Sequence, residues 1–191
     1  MSSQTSQVVV AFDFSHSARA ALYRAIALAN RAPFHVLHFV CVIEPHRPIP
    51  SIGTGPVDYH YAEKVQAAMG DEVAQELRAA GITDRIHFFT HARIGKPAEE
   101  ILSVAREVGA DLIVLGTKGL TGVEHLVLGS VAERVVREAG CTVEVARPKT
   151  YNYVELRQIT EVEPHPHYVR PHHYSYEDSR VSLRPSEWPL Y

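Results

Sequence analysis

The residues best suited to chemistry stand in Gly116-Thr117-Lys118-Gly119, followed after nine residues by Gly129-Ser130. This segment comes directly after the apolar run Asp111-Leu112-Ile113-Val114-Leu115. It leads into a helical pattern, Val131-Ala132-Glu133-Arg134-Val135-Val136. Glycines at the end of a strand let the backbone come close to a ligand. A Gly-Ser pair opening a helix aims N–H groups and a hydroxyl at an anion. Together they make a cradle for phosphates, most simply those of a nucleotide. Neither GxxxxGK[ST] nor GxGxxG is present, so the cradle is of another type. Glycines punctuate many βα turns, and the elements around the segment must decide between cradle and turn.

Catalytic chemistry is poorly supported. No Ser/His/Asp set and no paired carboxylates stand beside the glycines, so the segment predicts binding, with at most slow hydrolysis of a bound nucleotide. A divalent ion such as Mg²⁺ could ride on bound phosphates, keeping waters and phosphate oxygens as ligands. His165-Pro166-His167 and His172-His173 could take a transition metal, but their spacing matches no structural zinc pattern and the two cysteines, Cys41 and Cys141, are distant. No metal site is assigned. Both cysteines sit in apolar surroundings and read as buried thiols.

Positioning such a cradle requires strands and helices in alternation, which residues 7 to about 148 supply. Val8-Val9-Val10-Ala11-Phe12 reads as a strand covered on both faces. Asp13 and Ser15 introduce a helix over about 17–30 with Ala18, Ala21, Leu22, Ala25, Ile26 and Ala29 on one stripe. Val36 to Ile43 is a second strand, and a Pro/Gly-rich loop precedes a helix over about 58–80. Ile86 to Phe89 is a third strand, and Lys96-Pro97 starts a third helix. Residues 111–115, 130–138 and 142–146 supply the fourth strand, the last helix and the fifth strand. The alternation predicts an α/β fold with a parallel sheet and helices on both faces. Ligands of such sheets bind beyond the carboxyl ends of the strands, where Asp13, the residues around Val42 and the glycine segment would converge. Asp13 and Ser130 each have a plainer reading as helix N-caps.

Residues 149–191 differ in kind. They hold six of the nine tyrosines but little aliphatic material, which argues against a core of their own. They read as an extended arm that packs on its own domain or a second subunit, with Tyr and Trp side chains suited to docking a protein partner. A net charge of −3 gives no basic footprint for nucleic acid. The N-terminal residues lack the pattern of a signal peptide and no apolar run reaches membrane-spanning length, so a cytoplasmic location is expected.

Taken together, Val8 to Ser15, Gly95-Lys96-Pro97-Ala98-Glu99-Glu100-Ile101, Gly109 to Gly119 and Gly129 to Val136 resemble the universal stress protein family. The resemblance covers residues 7 to about 147 and includes the family's nucleotide-binding signature, G-x2-G-x9-G-[ST]. It implies a Rossmann-like, three-layer α/β/α sandwich around a five-stranded parallel open sheet, of the adenine nucleotide alpha hydrolase type. It also implies an ATP-binding protein (or one binding ADP or AMP) with a regulatory or stress-response role, usually a homodimer. The carry-over places Asp13 on the adenine side and the backbone of Val42 against the base. Gly116, Gly119 and Gly129 would let the chain wrap ribose and phosphates, Ser130 and the N–H of Val131 would bind phosphate oxygens, and Thr117 would touch sugar or phosphate. Phe39-Val40-Cys41 departs from the family at the second strand, where a histidine often precedes the valine. The fifth strand should be a sheet edge, which suits pairing between two copies. The alternative is a scaffold of the same fold that acts through its arm, with a vestigial pocket or another adenylate bound.

Overall fold

The computed structural model describes residues 5–31, 35–82, 86–119 and 128–148. The expectations placed on the C-terminal arm, 149–191, lie outside the described residues. Within them the elements alternate along the chain: β1 (Ser6–Ala11), α1 (His16–Arg31), β2 (His35–Ile43), α2 (Tyr59–Ala79), β3 (His87–Ile94), α3 (Pro97–Val108), β4 (Leu112–Gly116), α4 (Ser130–Glu138) and β5 (Thr142–Ala146). The five strands form one parallel sheet in the order β3-β2-β1-β4-β5.

The continuous apolar run of β1 is explained by its place at the centre. Val8 and Val10 face a core built with Leu22 and Ala25 of α1 and Val65 and Met69 of α2. Val9, between them, faces the opposite core with Ile101 and Val104 of α3 and Val135 of α4. All three valines are fully buried. Each large aliphatic side chain removed from water in these two cores stabilises the fold by about 1.5–3 kcal/mol. The buried stripe of α1 consists of the six residues expected from its 3.6-residue period.

Helix ends follow local chemistry. The Ser15 hydroxyl accepts from the Ala18 N–H at 3.1 Å, and the Asp58 carboxylate accepts from the Tyr61 N–H at 2.9 Å. Pro97 opens α3, and Gly109 closes it in the left-handed region at φ 62°.

Two expectations need correction. β3 runs on to Ile94, well past Phe89, through Thr90, His91 and Arg93, which break up the apolar signature. As an edge strand it leaves side chains partly in water, and its register with β2 continues through Val42↔Arg93 and Ile43↔Ile94. Cys41 is buried, with its thiol pushed up to about 12 by desolvation, but Cys141 is only half-buried beside the edge strand β5. Among the described residues no helix is long and apolar enough to cross a membrane.

Candidate functional site

After β1 the chain continues to β2 on one side, and β4 later takes the other side of β1. That reversal opens a crevice beyond the carboxyl ends of β1 and β4, because the connections leave in opposite directions. A cleft of about 590 Å³ lies there. Asp13, Val42, Gly116, Thr117, Gly119, Gly129, Ser130 and Val131 all line it. Gly95 does not; its N–H donates to the Ile43 carbonyl at 3.0 Å in the turn before α3.

Asp13 is not the cap of α1, a role taken by Ser15. Its Oδ1 instead accepts from the Ser15 N–H at 3.0 Å, in an Asx turn that carries Phe14 through a left-handed φ of 65°. The turn leaves the other oxygen toward the glycine segment. A β-carbon on Gly119 would lie 2.8 Å from Asp13 Oδ2, so the missing side chain is what lets this carboxylate stand at the cleft wall.

Gly116 answers to a different neighbour. A β-carbon there would sit 2.5 Å from the Ser17 carbonyl oxygen and 2.7 Å from its Oγ. Absence of a side chain thus lets the end of β4 touch the first turn of α1. Ser17, which sequence reasoning missed, holds that contact. Its hydroxyl accepts from the Lys118 N–H at 3.1 Å and lies 3.2 Å from the Thr117 hydroxyl. No periodicity or spacing marks it, since its partners lie about 100 positions away.

Gly129 closes the segment by donating its N–H to the Thr117 carbonyl at 2.8 Å. It is the N-cap of α4 and lacks a side chain to cap with, so Ser130 is the first helical residue and not the cap. The opening N–H groups of an α-helix have no acceptor within the helix. Here they carry the partial positive charge of the helix end to the cleft.

Val42 supplies a different edge. Val40 directs its carbonyl to β1, where the Phe12 N–H donates to it at 2.9 Å. Two residues on, Val42 presents its N–H and C=O in the same direction, but β1 has ended at Ala11. This pair of backbone groups therefore faces the cleft. Beyond it, Arg47, Pro48, Ile49 and Pro50 form a wall that the sequence showed only as a proline-rich loop.

Among the described residues, four basic side chains line the cleft, Arg47, Lys96, Lys118 and Arg134, against two acids, Asp13 and Glu44. Arg134 bonds Glu138 at 3.1 Å and Glu99 at 3.0 Å, and this hydrogen bond holds the Glu99 carboxyl below the usual carboxylate range.

A sequence model described as the universal stress protein family matches residues 5–147. A universal stress protein of Methanocaldococcus jannaschii is 31% identical over 142 residues, covering 74% of this chain and 81% of the relative. The universal stress protein UspA of Lactobacillus plantarum superposes with a TM-score of 0.59 at 27% identity, over 76% of this chain and 99% of that one. A universal stress protein solved in complex with cAMP superposes with a TM-score of 0.54 at 28% identity, over 76% and 98%. With the parallel sheet and the glycine segment in place, these likenesses show that the chain belongs to the universal stress protein family.

Proposed function

We propose that this protein binds an adenine nucleotide in the cleft beyond β1 and β4, with ATP as the preferred ligand. The observation that carries the reading is convergence. The edge of backbone left open at Val42 on β2 and the glycine-framed opening of α4 after β4 line one cleft, from strands on either side of β1. The first suits the hydrogen-bonding edge of a purine, and the second suits phosphates. The cAMP held by a similar universal stress protein supports an adenylate as the class of ligand.

In this reading Val42 pairs with the base through its backbone and Asp13 bonds the nucleoside. Thr117, Gly119 and Gly129 form the floor under ribose and phosphates, while Ser130 and the Val131 N–H hold phosphate oxygens. Mg²⁺ would neutralise the phosphates, held through their own oxygens and water. The bound nucleotide biases a conformation or a partner contact, in a cytoplasmic stress-response or regulatory role, without appreciable turnover. Two copies pair through the edge strand β5, and the arm after residue 148 docks a protein partner.

Calorimetry with ATP, ADP, AMP and cAMP tests the reading. Micromolar binding of at least one adenylate is expected, with loss in Gly129→Val. A β-carbon at 129 already lies 3.3 Å from the Thr117 oxygen, and the branched methyls would fill the phosphate floor. No binding of any adenylate by the wild type refutes the reading.

A further inference from the structure

The Arg47–Pro50 wall of the cleft is held by one buried hydroxyl. Tyr61, in the first turn of α2, is 6% exposed. Its hydroxyl accepts from the Ile49 N–H at 2.8 Å and donates to the Gly53 carbonyl at 3.1 Å, with the Ile49 carbonyl at 3.2 Å as the other acceptor. The turn closes on itself through Ile52 N–H and Gly53 N–H, which both donate to the Ile49 carbonyl. Asp58 fixes the tyrosine in turn by capping the helix at the Tyr61 N–H. Ile49 stands between two prolines; Pro50 disfavours the helical region for it, and Pro48 fixes the backbone just before it. Ile49 is itself buried against the α1–α2 core while bordering the cleft.

We propose that Tyr61 is a positioning residue for the nucleoside end of the ligand, acting through the Pro48-Ile49-Pro50 wall. The inference rests on the adenylate reading above and adds to it which wall meets the base. The chain order supports this assignment. The wall follows Val42 by only a few residues, so an apolar surface stands beside the backbone edge suited to a purine. The phosphate floor at Gly129 and Ser130 comes from β4 and α4 instead. A wall that is already ordered removes the cost of arranging it when ligand arrives.

Tyr61→Phe keeps the ring in the core and deletes only the hydroxyl. Three backbone groups of the loop lose their shared partner, and the wall spreads over other arrangements. If about one tenth of molecules keep the competent wall, apparent affinity falls about tenfold. The loss should be the same factor for AMP and for ATP, because the wall meets the part they share. Val65→Ala, one turn further along α2 in the same core, destabilises the helix while leaving the Tyr61 hydroxyl and its hydrogen bonds to the loop in place, and serves as the control. It is expected to lower the melting temperature yet leave both affinities unchanged. Unchanged binding by Tyr61→Phe overturns the inference. So does a loss that differs between AMP and ATP, or an equal loss in Val65→Ala. Failure of the adenylate reading itself would show earlier, as absence of AMP and ATP binding by the wild type.

Discussion

Replacing Gly116 by alanine separates two reasons for a glycine at the end of β4. If the residue is there only to admit a ligand, the empty protein should tolerate a methyl group. Its φ is not in the left-handed region, and Gly→Ala at a compatible position stabilises by about 0.4–1 kcal/mol through the unfolded chain. The structure gives the opposite sign. The new β-carbon would lie 2.5 Å from the Ser17 carbonyl oxygen and 2.6 Å from its carbonyl carbon, both backbone atoms that cannot swing aside. Separating α1 from β4 to relieve this costs about 2 kcal/mol of strain. Loosening the Ser17 hydroxyl from Thr117 and Lys118 adds about 1 kcal/mol. A total near 3 kcal/mol corresponds to a fall in melting temperature of about 6–12 °C for a domain of this size. Thermal unfolding without nucleotide reads it directly. Gly140→Ala is the control, since a β-carbon there meets nothing within 4 Å. If Gly116→Ala melts at or above the wild-type temperature while Gly140→Ala behaves the same way, the close-approach argument is wrong.

Two further outcomes follow from buried groups. His38 is 7% exposed, with Nδ1 3.1 Å from His91 Nε2 and Nε2 2.8 Å from Gln7 Oε1. Burial first, then the neighbouring His91, pushes the His38 pKa below the ordinary histidine value of 6.5, and burial does the same to His91. The unfolded chain therefore binds protons that the folded one refuses, so stability drops as pH falls below about 6.5. Melting temperatures between pH 7.5 and 5.5 should show this slope, and His91→Gln should flatten it; an equal slope in the variant refutes the assignment. The cysteines should differ in reactivity toward an aromatic disulfide reagent at pH 8. Half-buried Cys141 reacts in the native protein, whereas Cys41, fully buried and with its thiol near 12, reacts only on unfolding.

What the sequence made legible was whatever depends on near neighbours. The stripe of α1 and the bounds of α4 and β5 follow from local periodicity, and so does the alternation that assigns the fold class. The eight candidate site residues reach one cleft because all stand at strand ends or helix starts, which an open parallel sheet gathers on one side. Features set by distant or irregular partners stayed hidden. Gly116 was legible as a place of close approach, but not that it approaches the backbone of Ser17. Asp13 and Ser130 kept a second reading as caps until Ser15 and Gly129 took those places. The Pro48–Pro50 wall has no pattern beyond its prolines, and its anchor, Tyr61, looks from sequence like one more residue of a helical stripe.

The Ser17 hydroxyl joins positions separated by 100 and 101 residues, and β1 meets β4 across a similar interval. Contacts of that span carry a loop-closure cost that local contacts do not, and they slow folding. The first two strands and α1 can associate while the chain is short, yet they supply only Asp13 and the Val42 edge. The glycine-lined floor of the cleft exists only after β4 has docked beside β1. On the proposed adenylate reading, ligand binding during refolding reports the pairing of β4 with β1, and a chain that lacks this pairing does not hold the ligand.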